Sequence, residues 1–342
     1  MSPPDSGADE TIRVLPPVRR SRALIAAAAA ALTVVVAGAA GWLFWPHPAH
    51  VPLPPAATVP APVPALAPAP APPPPPPAFQ IETATEDQIL HHAGTALSVF
   101  RFASNPNILV LDFTSLHQQG LMLNRVAALV EKEGQPRDRV LNDVELADAI
   151  RASGDTVDTY YYGHDYSSAA LRRFFALADQ EQIALDPEEE ELRKLLRQVG
   201  WLEPAALGGL ISIPAVASDP KITLAARSAI LRHELSHGEF FSDPTYAAYV
   251  HNFWLTALTE KERAGVRNFL AKEEYDAHEE ELMYNEMQAY LMFTHDPLFF
   301  TPGMAGLTVK RLGELQSDFL AGMPAGWLRD VLASYRSATA SR

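Results

Sequence analysis

Residues 219–238 read DPKITLAARSAILRHELSHG, and the architecture of the chain turns on whether this stretch is a helix. Asp219 suits an N-cap and Pro220 a first turn, Ile222, Leu224, Ile230 and Leu231 supply apolar positions, and Gly238 reads as a stop. On such a helix His233 and His237 stand four residues apart, so both imidazoles leave one face on consecutive turns. Two imidazoles so placed can reach one Zn2+ ion at about 2.0–2.1 Å. Glu234 follows the first histidine directly, where it can serve a zinc-activated water as general base.

A catalytic zinc normally takes three protein ligands and keeps one position open. No histidine follows His237 until His251, so the third ligand is expected on another helix. Residues 284–290 read YNEMQAY. There Glu286 lies three or four residues from Leu282, Met283, Ala289 and Tyr290, so its carboxylate shares a largely apolar face and needs a strong partner. A buried ion pair with an arginine is the competing reading. Glu279, Glu280 and Glu281 are weaker candidates, because acids are favoured in a first helical turn by the dipole alone. Glu239, Asp243 and His251 are further alternatives for a third ligand.

With these residues the chain resembles the gluzincins, the thermolysin-like zinc peptidases, in which HExxH is completed by a glutamate of an Asn-Glu pair on a later helix. The resemblance implies His233, His237 and Glu286 as metal ligands and Glu234 as catalytic base. It covers only these two helices. In two respects the chain departs from the pattern: the separation of His237 from Glu286 is longer than in thermolysin, and Tyr290 stands where that family often has an aspartate that orients a histidine. The resemblance further implies an edge strand above the active-site helix to which an extended substrate adds. Leu210–Ile213 is the candidate for it. Tyr246, Tyr249, His251, Tyr290 and His164 are possible oxyanion donors, and the Tyr160–Tyr166 cluster is a candidate substrate-lining loop.

Elsewhere the body reads as mainly α with a small β-sheet, an α+β zincin-like domain over 79–342. The apolar run Ile108–Phe113 predicts a buried strand. Helices are expected over 121–133, 142–153, 167–182, 187–199, 221–237, 244–257, 260–272 and 277–293. The acids at 188–191 open a helix after Asp186-Pro187 and read as a solvated first turn with Glu189/Arg193 and Glu190/Lys194 pairs.

Toward the amino terminus, residues 23–45 contain no charged side chain, and a helix of that length rises roughly 34 Å, enough to span a bilayer. Arg13, Arg19, Arg20 and Arg22 precede this run and no Lys or Arg follows it before Arg101. The asymmetry predicts a single-pass anchor in the inner or plasma membrane with residues 1–22 cytoplasmic and the body periplasmic. Residues 46–78 are proline-rich, with six consecutive prolines at 72–77, which suits an extended linker. The chain has no cysteine, which excludes thiol catalysis and disulfides. Its formal net charge of −14 argues against nucleic acid as a partner. These features suggest a zinc metallohydrolase acting on peptide or protein in the cell envelope. A zinc-binding but inactive interaction protein, and a structural protein in which HELSH is coincidental, are the alternatives.

Overall fold

The run ILVLDF at 108–113 forms a strand in which every residue is buried, as a continuous apolar segment requires. In the computed structural model of the chain, which describes residues 79–340 (side chains of 338–340 excepted), it is the centre of a five-stranded mixed sheet. The strands are β1 (Ile81–Ala84), β2 (Ser98–Phe102), β3 (Ile108–Phe113), β4 (His164–Ser167) and β5 (Gly209–Pro214), in the order β1-β2-β3-β5-β4. β3 and β5 run parallel, and β4 pairs antiparallel with β5. β5 therefore has both of its edges occupied, and the expectation that Leu210–Ile213 is an edge strand is corrected: the free edge belongs to β4.

Helices dominate the rest: α1 (Glu86–Leu90), α2 (Leu116–Val130), α3 (Asp143–Ser153), α4 (Ser168–Glu181), α5 (Pro187–Gln198), α6 (Leu224–Ser242), α7 (Pro244–Thr256), α8 (Glu260–Lys272), α9 (Glu280–Gln288), α10 (Val309–Gly322) and α11 (Trp327–Ala340). The fold is mainly helical with a small sheet, of the α+β class. The candidate span 23–45 and the linker 46–78 lie outside the described residues, among which no helix is long and apolar enough to cross a membrane.

α6, the helix of the HExxH segment, lies across β5 and β4. It differs from expectation at both ends. Thr223, whose side chain accepts from the Ala226 amide, is the N-cap, and Asp219-Pro220 belong to the preceding turn. Gly238 does not stop the helix, which runs on to Ser242. A Cβ at Gly238 would lie 2.8 Å from Ile108 Cγ2, and one at Gly209 would lie 2.8 Å from the Gly238 backbone. The glycine is needed for close helix–sheet approach, which brings the histidines toward the sheet.

The first turn of α5 is also corrected. Glu189 is fully buried, closes a capping box with Asp186 and pairs with Arg125 at 2.7 Å. Arg193 instead pairs with Asp179, and Lys194 with Glu191 at i,i+3.

Candidate metal centre

His233 and His237 project from α6 toward α9, and their Nε2 atoms lie 3.0 Å apart. Glu286 of α9 faces them, with Oε2 3.6 Å from His233 Nε2 and Oε1 3.6 Å from His237 Nε2. All three residues are buried. They form one of two groups among the described residues whose ligand atoms lie within 4.8 Å of one another; the second is Glu131, Asp165 and Glu286.

The hydrogen bonds behind the imidazoles fix what the three can hold. The Thr294 hydroxyl donates to the Ala289 carbonyl at 3.0 Å, so at 2.8 Å from His233 Nδ1 it can only accept. Asn285 Oδ1 accepts from His237 Nδ1 at 3.0 Å. Both rings therefore carry their proton on Nδ1 and turn an Nε2 lone pair toward the other. Neither oxygen of Glu286 has a hydrogen-bond partner; Tyr275 is near enough to favour its ionised form but is not in hydrogen-bonding geometry. Two imidazole lone pairs and a carboxylate without a hydrogen-bond partner thus converge, an arrangement that is repulsive when the carboxylate is ionised unless a cation sits at its centre. The donor set of two nitrogens and one carboxylate suits zinc.

Thr294 comes into position because α9 passes into a π-turn at Ala289–Phe293, closed by the bond to the Ala289 carbonyl five residues back. The same turn sets the Tyr290 ring edge-on against His233 at 4.6 Å. Behind Asn285, Gln288 donates to Ser236 Oγ and accepts from the Tyr246 hydroxyl, locking α9 to α6 and α7.

Glu234 is buried, and its Oε2 has no hydrogen-bond partner. Burial, reinforced by Asp165, Glu286 and Glu131, pushes its pKa well above the usual carboxylate range. Gly163 lies directly against it: a Cβ there would fall 2.1 Å from Glu234 Oε1, so only glycine leaves room for the carboxylate. The preceding tyrosines, Tyr160 to Tyr162, are buried, the first two beneath Lys132, whose Nζ lies 4.1 Å from the Tyr160 ring centroid and 4.7 Å from that of Tyr161. This part of the aromatic cluster is packing that holds Gly163 over Glu234, not the lining of an open groove.

Several candidates are placed away from the centre. Tyr246 and Tyr249 donate to Gln288 and to the Phe319 carbonyl, and exposed His251 stacks on Tyr284. Glu280 pairs with Arg267 and Trp254, Glu239 with Asn105 and Trp327, and Asp243 caps α7. His164 is buried, its Nδ1 2.7 Å from the Tyr166 hydroxyl. Four further residues reach the site: Glu131 from the end of α2 and Thr294 from the π-turn, which sequence reasoning did not assign to it, and Gly163 and Asp165, which it placed only within the 160–166 cluster read as a substrate-lining loop. Asp165 Oδ2 lies 3.7 Å from His237 Nδ1.

Comparison of the chain with models of protein families, with curated proteins and with solved structures finds no match.

Proposed function

We propose that the chain is a zinc-dependent metallohydrolase, a gluzincin-like peptidase of the cell envelope held to the membrane by residues 23–45. The reading is carried by one observation, the convergence of two Nε2 lone pairs and the unpartnered Glu286 carboxylate on a single point. His233, His237 and Glu286 would hold the ion, with Thr294 and Asn285 orienting the two rings. Bound zinc supplies Lewis acidity, lowering the pKa of water and polarising a carbonyl. Glu234, one residue from a ligand and without a partner for Oε2, is the group that takes up a proton and returns it to the leaving amine. A nearby dication brings the raised pKa of Glu234 back down, so the base is ionised when the site is loaded. The free edge of β4 offers main-chain hydrogen bonds to an extended peptide.

A second reading, a zinc-binding but inactive interaction protein, draws support from the burial of Glu234 beneath Gly163. Metal analysis and casein turnover of the full-length chain separate the two. The peptidase reading expects one zinc per chain and turnover abolished by chelator and restored by zinc. Glu234→Gln should keep the metal and lose about 10²- to 10⁴-fold in rate. A parent chain that binds zinc stoichiometrically and cleaves neither casein nor a diverse peptide library is the inactive protein.

A further inference from the structure

Beside the metal centre a cavity of about 240 Å³ opens between β4, the end of α2 and the start of α9. Its lining includes four acids, Glu131, Asp165, Glu279 and Glu281. Glu131 and Asp165 are buried at its inner end, within 4.8 Å of Glu286, whereas Glu279 and Glu281 are exposed at its rim. Val130, Phe241 and Leu282 give it apolar walls.

The inner pair is expensive to maintain. Glu131 is the C-cap residue of α2, so its carboxylate is buried at the negative end of a helix dipole. It accepts a hydrogen bond from the Tyr166 hydroxyl at 3.3 Å. Asp165 has a side chain only 10% exposed, and the one basic side chain within 4 Å of it among the described residues is His237, with Nδ1 at 3.7 Å, whose proton already goes to Asn285. Asp165 accepts no hydrogen bond among the described residues, and neither acid is ion-paired there with lysine or arginine. Glu131, Asp165, Glu234 and Glu286 together can carry four negative charges, of which one zinc ion would offset two. Buried acids, unpaired and open to a cleft, stay ionised only with a cation from outside.

Resting on the peptidase reading above, we propose that this cavity is a substrate subsite for an organic cation, an ammonium or guanidinium group received by Glu131 and Asp165. Its size and apolar walls distinguish this occupant from a second metal ion. A bare ion would fill only a small part of 240 Å³ and gain nothing from Val130, Phe241 and Leu282, which suit the methylene stem of a basic side chain. The exposed rim acids attract the same charge from solution. Two sources share the chemistry, a lysine or arginine side chain and a free α-amino terminus.

The test uses the full-length Glu234→Gln chain loaded with zinc, which separates binding from turnover. Calorimetry compares three peptides: one blocked at both ends with a central lysine, the same with norleucine, and the norleucine peptide with a free amino terminus. One of the two cationic peptides should bind at least tenfold more tightly than the blocked neutral one, and which one identifies the source. Adding Glu131→Gln and Asp165→Asn should reduce that preference below twofold. Adding Glu279→Gln and Glu281→Gln, exposed changes that leave the core alone, should reduce it severalfold and weaken its salt dependence. Equal affinity for all three peptides overturns the proposal, as does a second equivalent of zinc, calcium or magnesium that disappears with Glu131 and Asp165. A parent chain that hydrolyses all three peptides equally refutes the subsite and leaves the peptidase standing. A chain that shows the binding preference but cleaves nothing refutes the peptidase and leaves the subsite.

Discussion

Two regions of this molecule bury carboxylates, and they treat them in opposite ways. Where α2 meets α5, Glu189 is buried against Arg125, whose guanidinium also reaches Asp143 at 2.7 Å and the Leu141 carbonyl at 2.7 Å. Beneath α6, Asp112 accepts from two nitrogens of Arg227 at 2.8 and 2.9 Å, and that arginine also donates to the carbonyls of Ile89, Leu90 and Pro214. At the candidate metal centre, Glu131, Asp165, Glu234 and Glu286 gather without an arginine or lysine bonded to any of them among the described residues. The fold thus supplies a guanidinium where a buried acid serves packing, and supplies none where four acids face one another. The contrast teaches that the cation of the second region is expected from outside the chain.

The strongest way to break this comparison is to remove one charge from each region. Arg227→Met leaves buried Asp112 with His92 Nδ1 at 2.7 Å as its remaining partner and should cost about 3–5 kcal/mol in denaturant unfolding, with added zinc unable to restore it. Glu286→Gln should behave differently. It removes a charge from a like-charged cluster, so the metal-free fold should lose little or gain slightly, while zinc binding and the zinc-dependent rise in melting temperature disappear. If Glu286→Gln destabilises the metal-free chain as severely as Arg227→Met does, Glu286 is a structural acid and the centre does not need an external cation.

The residues of this second region were unequally legible in the sequence. His233, Glu234 and His237 were visible because helical spacing alone puts them on one face, and Glu286 because a carboxylate among apolar neighbours at i±3 and i±4 must turn inward. β3 and α8 were read with their observed bounds, the first from an unbroken apolar run and the second from its helical pattern; in the structure a capping box of Thr259 and Glu262 opens α8. Asp165 was legible only as a member of the 160–166 cluster read as a loop, since HDYS at 164–167 shows no apolar alternation and becomes a strand only by pairing with β5. Thr294 escaped because a π-turn breaks the 3.6-residue period on which side-chain placement rests. Glu131 reaches the site from a helix end by tertiary packing alone. Gly238 was misread because a glycine serving close packing looks the same in sequence as one ending a helix. α10 and α11 lie beyond the last predicted helix, although Thr308, whose side chain caps α10, is a signal that could have marked it.

A smaller effect sharpens the comparison at the histidines. Thr294→Val removes the acceptor that holds His233 with its proton on Nδ1, and leaves the ring free to present Nδ1–H or Nε2–H to the centre. Loss of such an outer partner typically weakens a metal site about 10- to 100-fold. Competition with a chromophoric chelator should show zinc affinity reduced by that factor in Thr294→Val, with Thr294→Ser close to the parent. Unchanged affinity in the valine variant would mean that the Tyr290 contact alone orients the ring.

The smallest effect is one of pH, and its sign at the candidate centre depends on whether the cation is bound. Burial, with Asp165 adding to it, raises the Glu286 pKa from 4.5 to about 8 in the metal-free fold. Between those values the folded chain keeps a proton that the unfolded chain has released, so this group lowers stability as pH rises. His233 acts in the other direction: burial, opposed by Asp165, lowers its pKa from 6.5 to about 4. The unfolded chain then binds the extra proton between about 4 and 6.5, and stability rises with pH over that window. The two trends oppose each other up to pH 6.5, and above it the carboxyl trend remains, up to about 8. Metal-free protein should therefore lose stability from pH 6.5 to 8, by at most about 1.4 kcal/mol per pH unit for each group that gains charge. Loaded with zinc the slope should reverse toward acid, because the ligands must be deprotonated to bind and protons compete with the metal. Chemical unfolding with and without chelator across this range checks both signs. A metal-free chain whose stability rises steadily through pH 8 would show that these acids are already neutralised from within, as they are around Arg125 and Arg227.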